Sequence, residues 1–299
     1  MIQNSKYFIY NNISLASFEG MRIGTESSDM YSVNIISERR ILEEKIVGRK
    51  APYFYGVDDD PLTLQITVAL EKPKPISELR SFFRWLFSPK EYKQLSFDSD
   101  PNKFYYAIFV GSPELSYIDM STSADIDSNN RKLIGYITLT ARCNAGTAFG
   151  PAISITEVNQ QSNVGLLLVN NGDETVFPSI RIKMGDVAFP DNLPFISLSI
   201  DNPENNSKIQ FAKVYRNEEI TVDMSIRRIT STGGVVAHNI YDSWLRNYLE
   251  LEVGSNQLFI RPRNPNTGEL LNAFVSAEEP YRKQVFIEVE FIYQPVRYI

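Results

Sequence analysis

Cysteine and histidine are almost missing from this sequence. Of 299 residues, one is cysteine, Cys143, and one is histidine, His238. A lone cysteine excludes an internal disulfide and any thiolate metal cluster. A lone histidine leaves one imidazole for acid–base work, which removes most hydrolytic and metal-dependent chemistries. No run approaches the ~20 apolar residues of a membrane-spanning helix. The opening stretch MIQNSKYFIYNN lacks the charged start, apolar run and small-residue cleavage site of a signal peptide. The expectation is a soluble chain made in a cytoplasm. Lysine and arginine form no block, and the formal net charge is −6. Holding nucleic acid by its phosphates needs clustered positive charge, so that role is not expected either.

What is present is an ordinary core-forming composition, 43% hydrophobic and 22% charged, in a length that suits two domains. Strict alternation dominates the pattern. In LTLQITVAL, Leu62, Leu64, Ile66, Val68 and Leu70 face one way and Thr63, Gln65 and Thr67 the other, as in a half-buried strand. FYYAIFV, residues 104–110, is apolar on both faces and reads as a covered strand. The preceding DSDPNK signals a hairpin with a loop longer than two residues. KLIGYITLTARC reads as a strand with Gly135 marking a bulge or a close backbone approach. ISERRILEEKIVG carries both helix and strand signals, and strand is favoured. After CNAGTAFGPAISITEVNQQSNVG, which has the composition of a junction, come further short strands, among them NYLELEVG and the terminal VFIEVEFIY. Many short alternating strands with regular turns argue for a β-sandwich or jelly roll.

One helical stretch interrupts the β pattern. At ~100° per residue, Ile76, Leu79, Phe82, Phe83, Trp85, Leu86 and Phe87 of ISELRSFFRWLF cover half or more of the circumference. Ser77 is the expected N-cap after Pro75, and Pro89 the expected stop. So broad an apolar arc implies cover from more than one side. Phe82, Trp85 and Phe87 are therefore candidates for contact with another subunit.

Residues that could carry chemistry are few. Glu288 and Glu290, like Glu250 and Glu252, sit at i, i+2 on one strand face. Glycosidic carboxylates face each other across a cleft, so a solvated strand face is the better reading of both pairs. DIDSN (Asp125, Asp127, Asn129) opens like a calcium loop, but Asn130 and Tyr136 stand where the turn glycine and closing glutamate belong. Asp58, Asp59 and Asp60 read as a charged loop ahead of a strand. STGG, residues 231–234, lacks the lysine of a phosphate loop and reads as a turn. His238 has no nucleophile in a suitable context. No catalytic residue, metal or cofactor is expected.

The order of these pieces carries a resemblance. YFIYNNISLASFEGMRIG, RRILEEKIVGRKAPYF, PLTLQITVAL, the helix ISELRSFFRWLF, KQLSFDSDPNKFYYAIFVGSPEL and LIGYITLTARCNAG together resemble the N-terminal half of the distal tail proteins of long-tailed, non-contractile phages. VNNGDETVFPSIRI, ITVDM, YLELEVGSNQLFI and VFIEVEFIYQPVRYI resemble the C-terminal sandwich of the same family. The sequence departs from the family in keeping only Gly48 near VGRKAPYF and in running from Cys143 into NAGTAFG. The resemblance implies a mainly β protein with two domains. Residues 1–150 would form a β-sandwich-type ring domain with one short helix and a hairpin, and residues 151–299 a galectin-like, jelly-roll β-sandwich. It implies a non-enzymatic virion protein assembled in the bacterial cytoplasm. Six copies would form a ring at the distal end of the tail and join the tail tube protein to tail-tip or receptor-binding proteins. DNA would only pass through the lumen, and a neutral or acidic lining would avoid gripping it. The alternative is a carbohydrate-binding β-sandwich touching host cell-wall glycans, with Tyr241, Trp244 and Tyr248 as its aromatic platform.

Overall fold

The computed structural model describes residues 5–24, 38–122, 131–158, 164–186, 189, 192–234, 236–245, 248–273 and 284–298. The calcium-like stretch at Asp125–Asn129 lies outside them. The chain is mainly β and divides into two compact units, Met1–Gly150 with Arg297–Ile299, and Pro151–Val296.

The first unit contains β1 (Phe8–Tyr10), β2 (Ile13–Ser14), β3 (Met21–Ile23), β4 (Arg39–Glu44), β5 (Tyr53–Asp59), β6 (Thr63–Pro75), α1 (Ile76–Phe87), β7 (Lys93–Phe97), β8 (Asp100–Asp119), β9 (Lys132–Cys143) and β10 (Ala148–Phe149). Its main sheet runs β2-β1-β7-β8-β9-β6-β3. The alternation read from the sequence sets its inner face: Leu64, Ile66, Val68 and Leu70 of β6 and Ile137, Leu139 and Ala141 of β9 are all buried. Period-two patterning thus places one row of side chains in the core and the other toward solvent. Burial also pushes the Cys143 thiol up to about 12. A thiol is the unreactive form, so alkylating reagent at pH 8 should leave the native protein unlabelled. One label per chain should appear only after unfolding, counted by mass spectrometry.

Helix α1 packs on this sheet through Leu79, Phe82, Trp85 and Leu86, an i, i+3, i+4 stripe, while Ser77, Glu78, Arg80, Ser81 and Arg84 stay exposed. Each such side chain contributes about 1.5–3 kcal/mol on burial. The helix starts two residues earlier than Ser77 capping would require. β6 runs directly into it, Pro75 is the N-cap, and no side chain caps the first turn. Ser77 instead lends its carbonyl oxygen to the Ser81 hydroxyl at 3.2 Å. The β7–β8 connection is also tighter than DSDPNK suggests. Phe97 pairs with Asp100, leaving only Asp98 and Ser99 as the turn, and the Asp98 carboxylate accepts the Lys6 N–H at 3.0 Å.

Gly135 occupies a point where two strands nearly touch. A Cβ there would lie 2.0 Å from the carbonyl oxygen of Ser116 in β8, and the register with β6 shifts just beyond its partner Leu70. Backbone atoms cannot yield as a flexible side-chain end can. Gly135→Ala should therefore lower the stability of this unit by about 2 kcal/mol or more, read from its denaturant midpoint.

The second unit contains β11 (Ile153–Val158), β12 (Leu166–Asn170), β13 (Ser179–Met184), β14 (Ile196–Asn202), β15 (Ser207–Val214), β16 (Glu218–Asp223), β17 (Arg228–Gly233), α2 (Ile240–Ser243), β18 (Gly254–Arg263), β19 (Asn272–Ala273), β20 (Gln284–Val285) and β21 (Ile287–Tyr293). Two antiparallel sheets, β11-β21-β13-β16-β17 and β12-β18-β14-β15, enclose one core. Ile180, Ile182, Ile220, Val222, Val289 and Phe291 come from the first sheet, and Leu198, Ile200, Ile209, Phe211, Leu258 and Ile260 from the second. This is a β-sandwich, as the alternation requires. NYLELEVG departs from the strand reading. Leu249 and Leu251 are buried, but only Leu251 forms a bridge, to Val176. Side-chain amides take the place of a ladder: Asn202 and Asn205 donate to the Glu250 carbonyl, and Asn256 accepts the Glu252 N–H. STGG departs as well, because Ser231, Thr232 and Gly233 are paired residues of β17.

Candidate assembly surface

The most unusual surface belongs to the hairpin of β4 and β5. Among the described residues these two strands form a sheet of their own. Register is fixed by Arg39 opposite Asp59, Arg40 opposite Asp58 and Ile41 opposite Val57. The pairs Arg39–Asp59 and Arg40–Asp58 close at 2.9 and 3.1 Å, and the Tyr55 hydroxyl donates to Glu44 Oε2 at 2.8 Å. That hydrogen bond holds the Tyr55 phenol above its ordinary range. Two carboxylates of the acidic run are therefore strand residues with cationic partners, not a charged loop. The arginines that neutralise them stand some twenty residues earlier, a pairing that local composition does not reveal.

These contacts hold register but bury little. Ile41 is 58% exposed and Phe54 66%, and Leu42, Ile46, Val47, Tyr53, Tyr55 and Val57 are exposed as well. A two-stranded hairpin is marginal in water. Exposed ion pairs of this type add about 0–1 kcal/mol each. A hairpin rich in apolar side chains on its surface is the physical signature of a segment that another surface covers. A second open feature lies on β8. Its pairing with β7 ends at Ala107 opposite Lys93, and among the described residues it pairs only with β9 from Glu114 to Asp119. Tyr117, Ile118 and Met120 at this end are exposed. An uncovered strand edge is a ready template for another chain.

Of the three helix residues offered for subunit contact, two are used within their own unit. Phe82 is fully buried, and Trp85, 9% exposed, stacks on Phe8 and Phe18 at ring separations of 5.6 and 5.1 Å. The Trp85 indole N–H donates to the Tyr10 carbonyl at 3.2 Å. Phe87 is half-buried and alone of the three keeps part of its ring at the surface. Sequence reasoning passed over the hairpin because its Ile, Leu, Tyr and Phe content is what a core strand would also show.

In the second unit Tyr241, Trp244 and Tyr248 do come together, with Trp244 5.5 Å from the Tyr248 ring and 6.4 Å from Tyr241. Trp244 is only 6% exposed and bridges to Phe211 of the core, so its face is not open. Tyr241 is exposed, but its hydroxyl is held by the Ile229 carbonyl at 3.2 Å. Glu288 and Glu290 lie on the outer face of β21 opposite Lys183 and Arg181. Arg181 bonds Glu219 at 2.8 Å, and Ser154 donates to Glu290 at 2.8 Å, a ladder of solvent-side pairs.

His238 completes a structural network around Glu218, which is fully buried. Its Nε2 lies 2.7 Å from Glu218 Oε1, while Ser231 and the Tyr215 N–H donate to the same carboxylate at 2.5 and 2.8 Å. Ser243, near the other ring nitrogen at 3.4 Å, is 2% exposed and beyond the reach of a substrate. Among the described residues no group of three His, Cys, Asp or Glu could hold a metal ion, and no helix is long and apolar enough to cross a membrane.

Comparison with known proteins adds family information. Residues 3–145 match the model of the phage tail protein N-terminal domain, DUF6558. The SPbeta prophage-derived uncharacterized protein YomH of Bacillus subtilis (strain 168) is 24% identical over 267 residues, covering 87% of this chain and 94% of the relative. Among solved structures, the SPP1 Dit (gp 19.1) protein, described as a paradigm of the hub adsorption apparatus in phages infecting Gram-positive bacteria, aligns with a TM-score of 0.54. That alignment has 11% identity and covers 96% of this chain and 98% of the other. A chain of the phage p2 baseplate aligns over 95% of this chain and 97% of its own length, with 10% identity and a TM-score of 0.38.

Proposed function

We propose that this chain, whose residues 3–145 match the model of a phage tail protein N-terminal domain and whose fold is similar to that of the SPP1 Dit protein, is a phage tail structural protein and the hub at the distal end of the tail. In this reading six copies close into a ring that joins the tail tube to the host-adsorption apparatus, and DNA passes through the lumen. The first unit forms the ring, and the second carries tail-tip or receptor-binding proteins.

The exposed β4–β5 hairpin is the observation that carries the reading. A ring needs heterologous contacts, in which each subunit offers two different surfaces and the rotation between neighbours closes. An arm with exposed Ile41, Phe54 and Val57 supplies one such surface, and the open edge of β8 with Tyr117 and Ile118 is suited to the other. Aromatic and aliphatic side chains of this kind are enriched at the buried centre of stable interfaces. Electron microscopy of the purified protein tests the proposal. Top views should show a closed six-fold ring with a central opening, whereas fields of single chains would overturn it.

A further inference from the structure

The outer face of the four-stranded sheet in the second unit holds a groove of about 360 Å³, unused by anything described so far. It lies between β14, β15 and β18 and the turn that joins β14 to β15. Its floor is set by register. Ser199 pairs across to Arg261 on one side and Gln210 on the other, and Asp201 pairs with Lys208. The groove is lined by Ser199, Asp201, Lys208, Gln210, Arg261 and Arg263, together with residues of that turn.

Two features make this more than a polar patch. The Asp201 carboxylate is aimed, because Arg261 Nη1 donates to its Oδ2 at 3.0 Å and the Ser199 hydroxyl donates to the same oxygen at 3.3 Å. Arg261 is itself held on the Phe259 ring at 5.1 Å. The acceptor and its guanidinium partner are thus preorganised, and binding need not order them. The second feature is charge. Asp201 is neutralised by Arg261, and among the described residues neither Lys208 nor Arg263 forms an ion pair; Arg263 donates one N–H to the Gly268 carbonyl at 3.0 Å. The groove therefore presents excess positive charge on a chain whose net charge is −6.

We propose that this groove binds an anionic saccharide, a sugar bearing a carboxylate or a phosphate. Each sugar hydroxyl both donates and accepts, which suits a fixed carboxylate, an amide and a serine hydroxyl set close together. The ligand's anionic group answers Lys208 and Arg263. A peptide would require apolar side-chain pockets or a free strand edge; this floor is polar, and the edge of β15, the terminal strand of its sheet, is taken beside the groove by the Phe211–Trp244 bridge and by the Leu245 N–H, which donates to the Gln210 carbonyl at 3.0 Å. The volume falls in the range of small-molecule sites. The inference concerns the second unit and does not rest on ring formation, so either can fail without the other.

Calorimetric titration of the full-length protein tests it with four probes: digalacturonate, glucose 6-phosphate, neutral cellobiose and inorganic phosphate. Digalacturonate, glucose 6-phosphate or both should bind with a dissociation constant of ~1 mM or below, and binding should weaken as salt rises. Binding by one alone identifies carboxylate or phosphate as the recognised group. Lys208→Ala and Arg263→Ala should each weaken that binding ~10-fold while leaving the melting temperature in place. Because Lys208 is exposed, its variant keeps the test valid even if the arginine variant fails to fold. The proposal is overturned if neither charged sugar binds, if cellobiose or inorganic phosphate binds as tightly as they do, or if both variants bind like the parent.

Discussion

Replacing Ile41 with lysine and Val57 with glutamate in the same chain should leave a folded protein that no longer assembles. The two residues face each other across the β4–β5 hairpin and are 58% and 51% exposed. An opposite-charge pair keeps a favourable cross-strand contact, so the hairpin itself should survive. At exposed sites the cost to the folded chain should stay within about 0.5 kcal/mol. An interface that covers these positions loses more. Two aliphatic side chains contribute about 1.5–3 kcal/mol each when buried, and the introduced charges must also be stripped of water. The expected result is at least a ~100-fold weakening of each contact, which converts the assembly to single chains at micromolar concentration. Light scattering alongside thermal melting separates the effects: mass falls and the melting temperature does not. An unchanged mass would remove the hairpin from the interface.

Trp85→Ala should be the most damaging single core change in the first unit. The side chain is 9% exposed, stacked on Phe8 and Phe18, and hydrogen-bonded to the Tyr10 carbonyl. Truncating a buried tryptophan costs about 3–5 kcal/mol, because lost burial is joined by the cavity left behind. Aromatic pairing adds about 0.5–1.5 kcal/mol per contact beyond area. Trp85→Phe should cost much less, since a ring still fills the site. Phe87→Ala, at a half-buried position, should fall well below Trp85→Ala. With two units in the chain, the transition to follow is that of the first, by a probe local to it. A Trp85→Ala protein with the parental midpoint would mean that α1 is not integral to its unit.

Much of the fold was legible because periodicity is a local signal. LTLQITVAL and VFIEVEFIY alternate and become half-buried strands, and ISELRSFFRWLF becomes α1 from Ile76 to Phe87. The helix excess read as cover from outside is largely met from inside, since Phe8, Phe18 and Tyr10 close over Trp85. That closure depends on where the N-terminal strands fall, which helical periodicity cannot specify. NYLELEVG buries Leu249 and Leu251 but leaves Val253 exposed, and it lacks a ladder, because Asn202, Asn205 and Asn256 arrive from elsewhere to satisfy its backbone. Surface sites were the least legible. Exposure of Ile41 and Phe54 is set by what fails to pack on them. The Asp201–Arg261 groove is assembled from side chains 60 positions apart whose neighbourhood exists only through sheet register.

The hub account stands or falls on stoichiometry. Sedimentation velocity of the full-length protein at micromolar concentration should give one sharp species of about six times the 34.1 kDa chain mass, stable to dilution. A single species at the mass of one chain, persisting as concentration is raised, would contradict it.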